Sequence, residues 1–164
     1  MENYAESIDL LHRYGITNIG CFIMGLDSDT PATFEATTKF IQKYVDTPQV
    51  SVLTPYPGTA LFTRMEREGR ILSKDWSKYD ITHVVYEPRC MSPEELEEHY
   101  VDMQHRLFTY PEMLKRAVRQ VLRRTVHGYP RGFTRFDRFT STIAPNLVYR
   151  GLGRIGRGDG LADV

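Results

Sequence analysis

The 164-residue chain is 41% apolar and 26% charged, with a formal net charge of zero. That composition is ordinary for a globular chain and excludes collagen-like, fibrous and disordered classes. No run approaches the roughly 20 apolar residues of a membrane span, and the acidic start MENYAESIDLL does not read as a secretory signal.

Two cysteines, Cys21 and Cys90, cannot staple a small secreted domain. A reducing, cytoplasmic location is expected. The same pair cannot supply the three or four thiolates of a zinc or iron–sulfur site. The zero net charge hides a split. Residues 1–90 carry −3, residues 91–105 carry −5, and residues 106–164 carry +8, with 11 Arg among their 12 bases. Such asymmetry points the C-terminal part towards an anionic partner or an acidic face of its own protein.

In chain order, Tyr4, Ile8 and Leu11 recur at helical spacing, and Gly15 stands where a glycine cap ends a helix. Ile19 to Met24 is a short, nearly continuous apolar run. It reads as a strand buried on both faces and ending at Gly25. Thr30 then suits an N-cap and Pro31 the first helical position, with Phe34, Thr38, Ile41 and Val45 on one face. After the Thr47-Pro48 break, Val50 to Leu53 reads as a second strand. Strand, helix, strand is a right-handed βαβ crossover with parallel strands.

TPYPGT must be an irregular loop, because two prolines and a glycine fall within six residues. A short helix, 61–68, comes next and ends at Gly69. THVVYE is strand-like. Ser92-Pro93-Glu94-Glu95 is a capping-box start. Leu96, Tyr100, Met103 and Leu107 give the stripe of that helix. Pro111 restarts a second helix running to about Arg124, and the two are expected to form a bent pair or hairpin. Beyond Gly128 no hydrophobic period survives. The Gly-rich last dozen residues are expected to be mobile. The expected division is 1–88, an α/β part; 89–127, a helical extension; and 128–164, a basic Arg/aromatic/Gly-rich tail.

Parallel α/β folds place ligands at the C-terminal ends of their strands. Here those ends are Ile23 to Asp27 and Leu53 to Pro55. Gly25 would let a backbone or a ligand approach closely. The helix start near Thr30 would favour an anion or a carbonyl. An ordinary glycine and an ordinary cap explain the same pattern.

CFIMGLDSDTPATFEATTKFI followed by LTPYPGTALFTRMEREGRIL resembles the later strands of the radical S-adenosylmethionine (SAM) enzymes, and is most similar to their cobalamin-binding-domain branch. Ile23, Gly25, Asp29 and Thr30 match a strand-to-helix pattern I-x-G-x-x-x-[DE]-T. Pro55, Pro57, Gly58 and Thr59 match a P-x-P-G-T loop. GRILSKDWSKYDITHVVYEP and the SPEEL helix are similar to the segment after the barrel in that branch.

The resemblance covers about residues 1–125. It implies an α/β chain: the last βα units of a partial (β/α) barrel, then a small helical C-terminal region. For the parent enzyme it implies SAM, a [4Fe-4S] cluster and, in this branch, cobalamin. It also implies a 5′-deoxyadenosyl radical that abstracts hydrogen from substrate. The cluster motif C-x3-C-x2-C does not occur in this sequence. The expectation is therefore a fragment, inert alone. Its partners would be the early barrel and cobalamin-binding regions of the same enzyme, and its substrate a small molecule, lipid or cofactor precursor. The wall residues carried over are Ile23, Gly25 and Thr54, with no catalytic residue and no metal ligand in the chain.

Ile23 also reads as a core residue, Cys21 as a buried thiol, and Asp29 as a carboxylate favoured by a helix start. Cys90 falls in a loop. The five histidines lack metal-binding spacing, Glu94, Glu95, Glu97 and Glu98 read as a solvated face, and Trp76 and Tyr79 read as packing residues. For the basic tail three readings stand: docking against the barrel, an anionic membrane surface that would make the protein membrane-associated, or nucleic acid. The alternative to an enzyme fragment is a stand-alone interaction module using that tail.

Overall fold

The computed structural model describes residues 2–123, 125–126 and 134–155. The order is α1 (Glu2–Arg13), β1 (Ile19–Met24), α2 (Pro31–Tyr44), β2 (Thr47–Val52) and α3 (Ala60–Arg67). A 3-10 turn, Trp76–Lys78, precedes α4 (Pro93–Leu107), α5 (Tyr110–Leu122) and α6 (Arg135–Ile155). The chain is thus mixed α/β, with six helices and a two-stranded parallel sheet among the described residues.

The local signals work as chemistry requires. Gly15, at φ 77, ends α1. Thr30 and Thr33 form a reciprocal capping box ahead of Pro31. Ser92 and Glu95 do the same for α4: the Glu95 N–H donates to Ser92 Oγ (3.1 Å), and the Ser92 N–H donates to the Glu95 carboxylate (2.8 Å).

β1 pairs with β2 in register, Ile19 with Thr47 through Met24 with Val52. One sheet face carries Met24, Val50 and Val52 into a core with Phe34, Ile41 and Val45 from α2 and its end. Leu96, Tyr100, Met103 and Leu107 of α4 complete it. Full burial of each large side chain contributes about 1.5–3 kcal/mol. α4 therefore docks on the α/β part.

The outer edge of β2 is also closed. The Val50 carbonyl accepts from Tyr100 Oη (3.3 Å) and Gln104 Nε2 (3.2 Å), and the Val52 N–H donates to the Ile81 carbonyl (2.7 Å).

Four expectations are corrected. β1 is not buried on both faces: Ile19 is 63% exposed, Ile23 is 55% exposed, and Cys21 is an exposed thiol rather than a buried one. The reason is that nothing described covers that face. The second strand begins at Thr47, through the Pro48 expected to break it. THVVYE gives only an isolated antiparallel bridge, Ile71 with Tyr86.

The fourth concerns residues 135–155. They form a helix containing Pro145 where the sequence shows no apolar period. The buried stripe of α6 is polar, Arg138, Thr142 and Asn146 at four-residue spacing, so a search for apolar periodicity passes over it. α5 packs chiefly on α6. The wholly buried Arg116 donates through Nη2 to Asn146 Oδ1 and to the Leu107 carbonyl, both at 2.7 Å. Residues 156–164, the Gly-rich end, lie outside the described residues.

A polar knot ties the chain where the strands begin. Asp46 is fully buried. Its Oδ2 lies 3.0 Å from His12 Nε2 and accepts the Asn18 N–H (3.1 Å), and its Oδ1 lies 2.8 Å from Arg123 Nη1. Its carbonyl accepts from Asn146 Nδ2 (3.1 Å). One residue thus joins α1, β2, α5 and α6. Burial pushes the Asp46 carboxyl up, but His12, Arg123 and Asn18 together outweigh it, and its pKa falls below the ordinary value. A lowered carboxylate pKa stabilises the fold above the unfolded-state value of about 4, and the stabilisation is lost as pH falls through the folded value. Asp46→Asn should cost about 3 kcal/mol at pH 7. Urea unfolding at pH 7 and at pH 3 should show that gap shrinking in acid.

Candidate functional site

The segment after β1 has to turn from strand into helix within six residues. Gly25 makes the turn at φ 91, a region that L side chains rarely adopt. Asp29 reaches back along the chain. Its Oδ2 accepts both the Gly25 and Leu26 N–H groups at 2.9 Å. Asp29 is therefore buried and holds the turn, instead of standing at the helix start for its dipole.

The Gly25 carbonyl accepts from Tyr86 Oη. A Cβ at Gly25 would collide with that hydroxyl and lie 2.9 Å from Leu96 Cδ2. The close approach that the glycine permits is made by the chain's own Tyr86 and Leu96.

A charge cluster fixes the next residue. Asp27 receives Arg70 through Nη1 (3.2 Å) and Nη2, and Arg89 through Nε (3.2 Å). Glu68 receives the same two arginines, at 3.1 Å and 3.0 Å. Arg70 Nε donates to the Glu87 carbonyl (2.8 Å), and Cys90 Sγ donates to the Asp27 carbonyl (3.2 Å). The Arg70 hydrogen bond is the largest influence on the Asp27 carboxyl and holds it below its ordinary value. Segment 68–90 thus clamps the loop 25–29 against the end of the sheet.

At the second strand end, Thr54 is buried and its hydroxyl donates to the Val52 carbonyl (3.1 Å). Tyr56-Pro57-Gly58-Thr59 closes a turn by Thr59 N–H to the Tyr56 carbonyl (3.1 Å), with Gly58 at φ 82. Thr59 then caps α3 by accepting the Phe62 N–H.

Of the three wall residues carried over from the resemblance, Ile23 presents its side chain on the open sheet face. Gly25 has its N–H and C=O engaged inside the chain, and the buried Thr54 has its hydroxyl engaged with the Val52 carbonyl. Leu26 and Tyr56, near the strand ends, are exposed as well. Sequence reading missed them, and it missed the Tyr86, Arg70 and Arg89 clamp, whose partners lie tens of residues away and leave no local signal. Among the described residues no group of three or more His, Cys, Asp or Glu is arranged to hold a metal ion. No described helix is long and apolar enough to cross a membrane.

Residues 59–148, more than half of the chain, match the family described as a domain of unknown function, DUF4070. The chain belongs to that family. With its motifs, this places it with the C-terminal region of cobalamin-binding-domain radical SAM enzymes. It is 32% identical over 153 residues to the bacteriochlorophyllide d C-12(1)-methyltransferase of Chlorobaculum tepidum, covering 90% of this chain and 31% of that protein. It is 37% identical over 71 residues to the hopanoid C-2 methylase of Rhodopseudomonas palustris, covering 43% and 14%. It is 30% identical over 113 residues to the anaerobic magnesium-protoporphyrin IX monomethyl ester cyclase of Cereibacter sphaeroides, covering 65% and 18%. The chain spans less than a third of the length of these relatives.

The clamp gives a stability test. Gly25→Ala combines a strained backbone with overpacking and should cost about 3 kcal/mol. Tyr86→Phe should cost about 1–2 kcal/mol by leaving a buried carbonyl unpaired. In the double variant the clash with the hydroxyl is removed while the contact with Leu96 and the strained φ remain, so denaturant melts should show a loss modestly smaller than the sum.

Proposed function

We propose that this chain forms the last βα units of a partial radical SAM barrel and contributes one side of the pocket that holds SAM and substrate. The observation that carries the reading is the state of β1. Among the described residues it has one strand partner, β2, and Ile19, Cys21 and Ile23 stand on an open face. A groove of about 610 Å³ runs along it, lined by Tyr4, Ile8 and Leu11 of α1 with Ile19, Phe22 and Phe40. An unpaired parallel edge next to an apolar groove is what a preceding strand and its helix would cover.

The residues present fit the two cofactors differently. The iron–sulfur cluster does not fit: the chain's two cysteines are Cys21 and Cys90, so no step through a cluster is assigned to it. SAM fits as a partly walled ligand, with Ile23, Leu26 and Tyr56 offering apolar surface. The clamped loop 25–29 and the Thr54 backbone would form the rim of that wall. The chemistry that SAM supplies when bound is a methyl group or a 5′-deoxyadenosyl group. The chain's own part is to bind, orient and exclude water.

Two of the three relatives are named for methyl transfer, which makes it the favoured reaction class, and the resemblance to the cobalamin-binding-domain branch supports cobalamin as a cofactor of the parent enzyme.

The test is complementation in trans. The chain is mixed with a polypeptide carrying the preceding barrel strands and the C-x3-C-x2-C motif, and SAM binding is followed by equilibrium dialysis. The pair should bind SAM at least about tenfold more tightly than the preceding half alone, and Ile23→Asp should remove that gain. Equal binding with and without this chain would sink the reading and favour the stand-alone interaction module.

A further inference from the structure

Two arginines of the basic C-terminal part, Arg119 and Arg123, stand at the pole where the strands begin. An open cleft of about 580 Å³ lies there, lined by Asp9, His12, Arg13, Lys43, Arg119 and Arg123. Four permanent cations thus stand with two carboxylates, Asp9 at the rim and the buried Asp46 beneath.

Helix ends account for part of this. α1, α2 and α5 all finish at this pole, and cations suit the negative ends of helices. Arg119 Nη1 does that work directly, donating to the last carbonyls of α2, Gln42 (2.8 Å) and Lys43 (2.7 Å). Arg123 is taken by Asp46 and by Gln120 Oε1 (2.7 Å).

Two features are left over. Arg119 Nε and Nη2 are buried and have no hydrogen-bond partner. They form one edge of the guanidinium fork, the edge whose spacing matches two oxygens of a carboxylate or phosphate. A buried donor pair without an acceptor is costly and rare enough to need a cause. Burial first, then the like charge of Arg123, already pulls the Arg119 pKa down. The second feature is Arg13, which is exposed and has no side-chain hydrogen bond or ion pair among the described residues. Lys43 adds a further charge, its ammonium held 4.9 Å from the Tyr44 ring centroid.

We infer that this cleft is an oxyanion site, taking a phosphate group between the unpaired edge of Arg119 and the charges of Arg13 and Lys43. The site is distinct from the SAM wall and does not rest on it, because the two lie at opposite ends of the sheet. The same phosphate chemistry is offered by a free phosphate ester and by a phospholipid headgroup.

The full chain is titrated with inorganic phosphate at 0.15 M NaCl, where weak surface attraction is largely screened. Binding is read by isothermal calorimetry. A parallel arm uses vesicles of phosphatidylglycerol and phosphatidylcholine, read by co-sedimentation. Saturable binding is expected with a dissociation constant of about 1 mM or tighter. Arg13→Gln with Lys43→Gln should weaken it at least about tenfold while lowering the melt by no more than about 5 °C, the loss expected for two helix-end charges. Arg119→Lys keeps a charge and a donor for the α2 carbonyls but loses the fork, and should weaken phosphate similarly.

Phosphate binding with no preference for anionic vesicles assigns a free ester. A vesicle preference lost in the same variants assigns a headgroup. Failure to saturate with either probe, or saturation unchanged in all variants, would overturn the site and leave these cations as helix caps alone.

Discussion

The arrangement depends on one constraint: a single parallel strand pair has two faces and two outer edges, and the described residues cover only half of them. One face receives α2 and α4. The outer edge of β2 receives Tyr100, Gln104 and the carbonyl of Ile81. The edge of β1 and the face of Ile19, Cys21 and Ile23 receive no cover from the described residues. Each helix then has a definite place. α4 is the lid of the core, and α5 and α6 buttress it through Arg116 and Asn146. α1 lies beside the uncovered edge, with Tyr4 and Leu10 largely exposed.

The two ends of the sheet are built by different physics. At the C-terminal end, a turn that only glycine tolerates is fixed by three kinds of donor: backbone N–H groups to Asp29, the Tyr86 hydroxyl, and two arginines on Asp27. That end is tied down by these bonds and carries the exposed Ile23. At the other end a buried carboxylate, Asp46, gathers His12, Asn18 and Arg123 from three parts of the chain. A clamped loop at one pole and a polar knot at the other tie down both ends of the sheet. That is what the wall of a ligand pocket requires.

Much of the fold was legible. Caps at Thr30 and Ser92, Gly15 and the spacing of Phe34, Thr38 and Ile41 are local signals, and local signals survive without the rest of the structure. The Pro-Pro-Gly loop was equally plain. What failed depended on partners distant in sequence. The apolar run of β1 reads as buried on both faces because such runs usually are, and nothing in Ile19 to Met24 reveals that one cover is missing. α6 escaped because its buried stripe is Arg138, Thr142 and Asn146, residues that look solvated until Arg116 and the Asp46 carbonyl are brought to them. The site was legible as a location, the strand ends. Its fixing residues were not, since Tyr86 and Arg70 act on Gly25 and Asp27 across most of the α/β part.

If the chain completes a barrel, the open edge and face of β1 are docking surface for a preceding barrel segment. Hydrogen–deuterium exchange, measured on the chain alone and after addition of a polypeptide carrying the preceding strands, addresses this directly. The amides of β2 should be protected in both states, being paired on one side and covered on the other. The outward amides of β1, together with α1, should exchange fast in the chain alone and slow by at least about tenfold on addition of the partner. Protection of β1 equal to that of β2 in a monomeric chain, unchanged by the partner, would contradict the account.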